Sequence, residues 1–441
     1  MEYIDYKQIV ISEHATIPEQ HLESLQSVKF DGITDYMQIP KYLGIGYYKN
    51  HLSASYFIGT CWLTPSLSVA VLPKIENIDF IKMFLTALET ESEADYFAKC
   101  YRIDFDKPAI KTPNNLNILS PLLVLHYLTL LEKLVKRGLK RGYIVKEENL
   151  KSKIKGKIIW ANHLQQNVFQ KREDRIFCRY QEYTIDIPEN RLLKKALLFC
   201  EKMLDNYASI KKQDNYTEIK RRFNKLKQHF VNINDDIEVS QIQKISANKL
   251  FINYKSAIKV AKMILRRFDY SLQNTSKTED SAPPFCIDMA RLYELWVYSK
   301  LNKAYPGQIV FQVKGHCRTA VDFIKKDDHL IMDAKYKPHY DNSNRGIIDD
   351  IREISGYARD RKILNTLGVN DSDNEEVKCL IIYPEPTNFV VDSDMEQDEV
   401  QGDSCNEASF QGDLLSQSSE IKLFRNFYKI SVKLPTTKNA D

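Results

Sequence analysis

No apolar run in the 441 residues approaches the roughly 18 residues that a membrane-crossing helix needs. The opening Met1-Glu2-Tyr3-Ile4-Asp5 also lacks the basic and apolar regions of a secretory leader, so a cytoplasmic protein without a membrane partner is expected. Gly-x-x-x-x-Gly-Lys-Ser/Thr is absent, and with it the phosphate-cradling P-loop from which nucleotide hydrolysis would follow. The eight cysteines, Cys61, Cys100, Cys178, Cys200, Cys286, Cys317, Cys379 and Cys405, form no Cys-x-x-Cys pair and no tight Cys/His group. This scatter argues against a zinc site or a disulfide framework and suits reduced thiols, so any metal is expected to come through carboxylates.

A strong net charge is lacking as well, but the value of +4 hides an asymmetry. Residues 371–420 hold 14 acids and one lysine, which leaves 62 basic against 45 acidic side chains elsewhere, a balance of +17. A basic body with one acidic segment suits a polyanionic partner, and it equally describes a solvated surface with a lysine excess.

What is present is ample core material, 43% hydrophobic residues over a length that suggests two or three domains. Residues 1–110 open with short β-branched and aromatic runs, Val28-Lys29-Phe30, Tyr47-Tyr48, Tyr56-Phe57-Ile58 and Leu67 to Leu72, punctuated by glycines. They read as a β-rich module followed by a helix from Phe80 to Ala98. Residues 111–270 read as mostly helical, with apolar stripes from Leu119 to Leu139 and from Lys249 to Tyr270. Asn190 reads as a helix cap, and the basic residues between it and His229 are either phosphate contacts or a solvated face. The polar stretch Ser271 to Pro284 marks a boundary. Beyond it, residues 285–441 alternate helix and strand as a sandwich, with an acidic, basic-free insertion at 392–420 read as disordered before a last strand near Phe427 to Val432.

The chemistry concentrates between Asp322 and Tyr336. Asp322-Phe323-Ile324, a charged turn and His329-Leu330-Ile331-Met332 predict a β-hairpin ending in Asp333-Ala334-Lys335-Tyr336. Side chains alternate along a strand, so Asp333 and Lys335 share a face and meet Asp322 at one sheet edge. Two carboxylates offer hard oxygen ligands to a divalent cation, and a lysine beside them can orient a nucleophile or hold an anion. An Asp and a Lys two apart also describe a surface ion pair. Helices are predicted from Phe285 to Tyr305, carrying Glu294, and from Ile347 to Leu364, carrying Asp350, Glu353 and Tyr357, with a buried strand from Val377 to Tyr383.

The order Glu294, Asp322, Asp333-Ala334-Lys335 resembles the PD-(D/E)XK nuclease superfamily. Asp333-Ala334-Lys335-Tyr336-Lys337 is similar to the active-site signature of the McrC family, the nuclease subunits of modification-dependent restriction systems. So are Leu72-Pro73-Lys74-Ile75, Lys155-Gly156-Lys157-Ile158 and Asn190-Arg191. Family members often carry Gln where this chain has Glu353, four residues before Tyr357. The resemblance implies an α+β N-terminal region followed by an α/β PD-(D/E)XK-like domain. It also implies Mg²⁺ held by Asp322, Asp333 and Glu294, Lys335 as a further catalytic group, double-stranded modified DNA as substrate, and a separate McrB-like AAA+ GTPase engaged by residues upstream of the 271–284 boundary. A non-catalytic activator of such a motor and a stand-alone repair nuclease are the alternatives.

Overall fold

The computed structural model describes residues 6–30, 32–33, 39–48, 50–75, 77–88, 96, 99–104, 107–108, 110–111, 113, 119–206, 216–238, 252–273, 281–282, 284–316, 319–337, 345–369, 376–385, 410 and 412–436. By compactness the chain divides into one unit of residues 1–119 with 279–441 and another of residues 120–278. The sequence reading divided it near 110 and at 271–284 and set the two outer segments apart, whereas they share one unit.

Strands β1 (Lys7–Ser12), β2 (Gly46–Tyr48), β3 (His51–Ser53), β4 (Phe57–Thr64), β5 (Leu67–Leu72), β6 (Tyr101–Ile103) and β7 (Ile110–Lys111) make the N-terminal residues β-rich. Among the described residues the helices α1 (Leu22–Leu25) and α2 (Phe80–Leu88) lie between them; most of the expected helical stretch from 89 to 98 falls outside the described residues. Val28-Lys29-Phe30 is irregular rather than a strand: Val28 N donates to the Leu25 carbonyl at 2.9 Å, and Val28 and Phe30 pack against the core.

The second unit contains α3 (Leu119–Arg137), β8 (Gly142–Lys151), β9 (Lys157–Ile158), α4 (Trp160–His163), β10 (Arg175–Thr184), α5 (Pro188–Asn206), α6 (Tyr216–His229) and α7 (Ile252–Gln273). β8 and β10 pair antiparallel from Gly142↔Thr184 to Lys151↔Arg175. Gly156, at φ 63, is required beside them: a Cβ there would stand 2.4 Å from the Arg179 carbonyl oxygen. Asn190 lies inside α5 instead of capping it. Buried, it donates to the Lys140 and Ile185 carbonyls and accepts from Tyr254 Oη, so it ties the segment before β8, the entry to α5 and α7 together. Several basic residues of α5 and α6 are consumed internally. Arg191 pairs with Asp186, Lys220 with Asp205, Arg222 with Glu132 and Lys227 with Glu201, while Lys194 and Lys195 donate to the Ile233 and Ile237 carbonyls.

The chain then returns to the first unit. β11 (Ser281–Ala282) pairs with β7, and β12 (Phe285–Asp288) enters between β4 and β6, antiparallel to both. The resulting sheet runs β1-β5-β4-β12-β6 among the described residues. Residues 285–288, expected as the start of a helix, are therefore a strand. Their backbone fills the slot at Gly59 (φ 134), where a Cβ would meet the Phe285 carbonyl oxygen at 2.1 Å. Helix α8 (Met289–Ala304) begins only after Asp288, whose side chain accepts Arg291 N at 3.1 Å as an N-cap.

β13 (Ile309–Lys314), β14 (Ala320–Lys325), β15 (Leu330–Ala334), β16 (Lys378–Pro384), β17 (Ser419–Glu420) and β18 (Phe427–Val432) form a sheet ordered β13-β14-β15-β16-β18-β17. The β14–β15 hairpin is as predicted, and β15, β16 and β18 run parallel. Tyr298 of α8 stacks on Phe311 and Phe323 of this sheet. Val321, Ile324, Ile331 and Ile381 of the sheet share a core with Ile347, Ile351 and Ile354 of α9 (Arg345–Tyr357) and Ile363 of α10 (Arg361–Leu367). The expected single helix from Ile347 to Leu364 is broken because Asp360, in extended backbone, caps Lys362 N. Of the acidic insertion, 392–409 and 411 lie outside the described residues. Its end is ordered: Phe410 and Leu414 are buried and β17 joins the sheet.

The fold is thus mixed α+β with several sheets. Among the described residues no helix is long and apolar enough to cross a membrane, and the described cysteines are free and buried.

Candidate functional site

Asp322 sits within β14, Asp333 near the end of β15, Lys335 just after it and Glu294 on α8. Since β14 and β15 are interior strands, the carboxylates lie inside the sheet rather than at its edge, with Asp322 8% and Asp333 3% exposed. Buried carboxylates need partners. Asp322 Oδ2 accepts Ala334 N at 2.9 Å, so a side chain continues the hairpin where the ladder's backbone pairing stops. Its Oδ1 accepts Gln312 Nε2 at 3.0 Å, and the same nitrogen reaches Glu294 Oε2 at 3.2 Å. Tyr96 Oη donates to that oxygen at 2.5 Å.

On the other side Lys335 Nζ stands 2.7 Å from Asp333 Oδ2 and 2.8 Å from Glu353 Oε2. The first contact gives the buried Asp333 carboxylate a close cationic partner. Glu353 Oε1 accepts Tyr357 Oη at 2.7 Å. Next along the chain Lys337 Nζ contacts both Asp350 carboxylate oxygens at 2.8 Å. Lys74 Nζ donates to the Tyr336 carbonyl, and Lys74 N donates to Glu13 Oε2 at 2.8 Å.

The electrostatics follow from burial and crowding. Burial, then the charges of Glu294 and Asp333, push the Asp322 carboxyl well above its ordinary value. Burial also raises Asp333 against the pull of Lys335, and raises Glu294 to about 8 with help from Asp288 and Asp333. Burial works against the Lys335 ammonium, but Asp333 and Glu353 outweigh it and hold the proton more firmly than usual. Burial likewise opposes ionised Glu353, yet Lys335 and Tyr357 win and keep its carboxyl below the usual range. The result is a crowd of hard oxygens short of positive charge on the Glu294–Asp322 side, with Asp333 held against Lys335. That donor set fits a divalent cation. Among the described residues no three acid, His or Cys side chains are already gathered as a finished metal cage.

The structure therefore brings Glu294, Asp322, Asp333 and Lys335 together and adds Glu353. Sequence reasoning missed Gln312, Tyr96, Glu13 and the position of Lys74. Pro73-Lys74-Ile75 carried a signal for Lys74, whereas nothing local marks Gln312, whose role depends on strand pairing.

A half-complex from a tetradecameric assembly of Thermococcus gammatolerans McrB AAA+ hexamers with bound McrC is similar at 13% identity, with TM-score 0.41 over 99% of this chain and 96% of that chain. The cryo-EM structure of the Thermococcus gammatolerans McrBC complex is similar at 13% identity, with TM-score 0.30 over 68% of this chain and 88% of that chain. No curated protein matches. The family model described as McrBC 5-methylcytosine restriction system component matches residues 52–351, from β3 through the whole of the site's hairpin to α9, and the chain belongs to that family.

Proposed function

We propose that this chain is the DNA endonuclease subunit of a modification-dependent restriction system, cutting phosphodiester bonds with Mg²⁺ while a separate McrB-like AAA+ GTPase supplies the motor. The observation that carries the reading is the convergence of Glu294, Asp322 and Asp333, from a helix and two interior strands, beside Lys335. Burying like charges costs several kcal/mol unless a cation or a proton offsets them, and a fold without use for the cluster gains more from apolar residues there. The PD-(D/E)XK-like domain of this reading is the sheet β13 to β18 with α8, α9 and α10.

Glu294, Asp322 and Asp333 would hold the cation. When bound, it lowers the pKa of a water and offsets charge on the phosphate. Gln312 and the Ala334 amide orient the carboxylates of Asp322, and Gln312 and Tyr96 orient that of Glu294. Lys335, protonated and held between Asp333 and Glu353, presents an ammonium where the scissile phosphate or the attacking water would lie. The substrate is double-stranded DNA carrying a modified base, by the restriction function that the family description names. A partner GTPase suits a chain without a P-loop.

One observation favours a non-catalytic activator: Lys335 is already neutralised by Asp333 and Glu353, as in a purely structural ion pair. Calorimetric titration with Ca²⁺ beside a Mg²⁺ nicking assay separates the two. Under the nuclease reading Asp322→Ala weakens cation binding, while Lys335→Ala keeps it and loses turnover. Equal loss of binding in both variants assigns Lys335 to structure.

A further inference from the structure

Gln312 stands out in the sheet on geometry alone. The β13–β14 ladder pairs Phe311 with Phe323 and Val313 with Val321, but skips the residue between. There the backbone of Gln312 turns to φ 51, the left-handed region that side-chain-bearing residues avoid at a cost of about 1–2 kcal/mol. Glycine would take this conformation without strain. What the strained conformation delivers is the carboxamide: Nε2 donates at 3.0 Å to Asp322 Oδ1 and at 3.2 Å to Glu294 Oε2. One nitrogen thus links acids from a strand and a helix.

We infer that Gln312 is a positioning residue that holds the Glu294 and Asp322 carboxylates at the mutual spacing a divalent cation requires; this rests on the nuclease reading above. The side-chain chemistry suits that task better than its alternatives. A lysine would neutralise the acids and compete with the cation, and a glutamate would add a further negative charge to a crowded site. An amide has two N–H groups on one nitrogen and no charge, so it can hold two carboxylates without displacing the metal. The second donors on the same acids, Tyr96 on Glu294 Oε2 and the Ala334 amide on Asp322 Oδ2, leave Gln312 as the described group that bridges them. Supporting partners of metal ligands of this kind typically contribute about 10–100-fold in metal affinity.

Two substitutions separate the polar role from the backbone. Gln312→Met keeps the length and the strained φ but removes both donors, and Gln312→Gly removes the strain as well. Ca²⁺ calorimetry on the full chain is expected to show affinity about tenfold or more below wild type in both variants. DNA nicking by both should approach the wild-type rate as Mg²⁺ is raised, because the ligands themselves remain. Wild-type Ca²⁺ affinity in both variants overturns the inference, and so does a loss of nicking that saturating Mg²⁺ does not restore, since a collapsed or merely structural site is not refilled by mass action. The wild type is the control for the underlying reading: if it shows no Ca²⁺ site that Asp322→Ala weakens, the nuclease reading falls, and this inference with it.

Discussion

Lys74 Nζ donates to the main-chain carbonyl of Tyr336 at 2.7 Å and lies 4.0 Å above the centroid of the same tyrosine's ring. Two phrases that are 262 residues apart, Pro73-Lys74-Ile75 and Asp333-Ala334-Lys335-Tyr336, thereby become one piece of structure. The residue after Lys335 is anchored on its main chain by a lysine from the N-terminal sheet. Lys74 in turn stands on Glu13, whose carboxyl burial pushes up to about 7 against the lysine's attraction.

Replacing Lys74 with Met should therefore act twice. Stability falls by at most about 3 kcal/mol, because a buried partner is left unpaired but Glu13 can escape by taking a proton. Cleavage falls by about tenfold to a hundredfold through displacement of Lys335. A double-mutant cycle with Glu13→Gln, read by denaturant melting, should recover part of the stability; additive losses would show that the two groups do not interact.

The two carboxylate oxygens of Glu353 accept from Lys335 and Tyr357. A glutamine oxygen can accept from one of these donors, so Glu353→Gln should keep cleavage within about tenfold of wild type, consistent with loss of one charge-assisted hydrogen bond. A nicking assay decides it. Loss as complete as that of Asp333→Ala would make Glu353 a metal ligand instead of a support for Lys335.

The hairpin, the last strand and the acid-acid-lysine set were legible because they are local: alternation, a charged turn and a short motif define them. The strand Phe285–Asp288 was not, since its apolar residues fit a helix and only the slot between β4 and β6 selects the extended form. That strand also bears on where the chain can be cut. A fragment ending at 270 lacks β12, which lies between β4 and β6 in the N-terminal sheet. Gln312 was illegible for a related reason, because its side chain meets Asp322 and Glu294 only once β13 and β14 pair. The basic stretch from Arg191 to Lys227, open in the sequence to phosphate contacts or a solvated face, spends several of its charges on intramolecular carboxylates.

His126 gives the protein a sign of pH dependence that can be isolated. Buried on α3, it has its pKa lowered from 6.5 to about 4 by burial and then by Lys133. The unfolded chain therefore binds the proton more readily, and the stability held above pH 6.5 is lost as pH falls toward 4. Between pH 7 and pH 5 this amounts to about 2 kcal/mol. Melting of the wild type should fall relative to His126→Gln over that interval, and a pH-independent gap between the two would refute the assignment.

The central claim is that Asp333 belongs to a cutting site. The measurement is cleavage of 5-methylcytosine-containing DNA by the purified Asp333→Ala chain with the proposed McrB-like GTPase, GTP and Mg²⁺, beside the wild type. The account predicts intact folding and stimulation of GTP turnover with cleavage reduced to background, because a metal ligand at a strand end is lost while the core remains. Cleavage by the variant at the wild-type rate would contradict it.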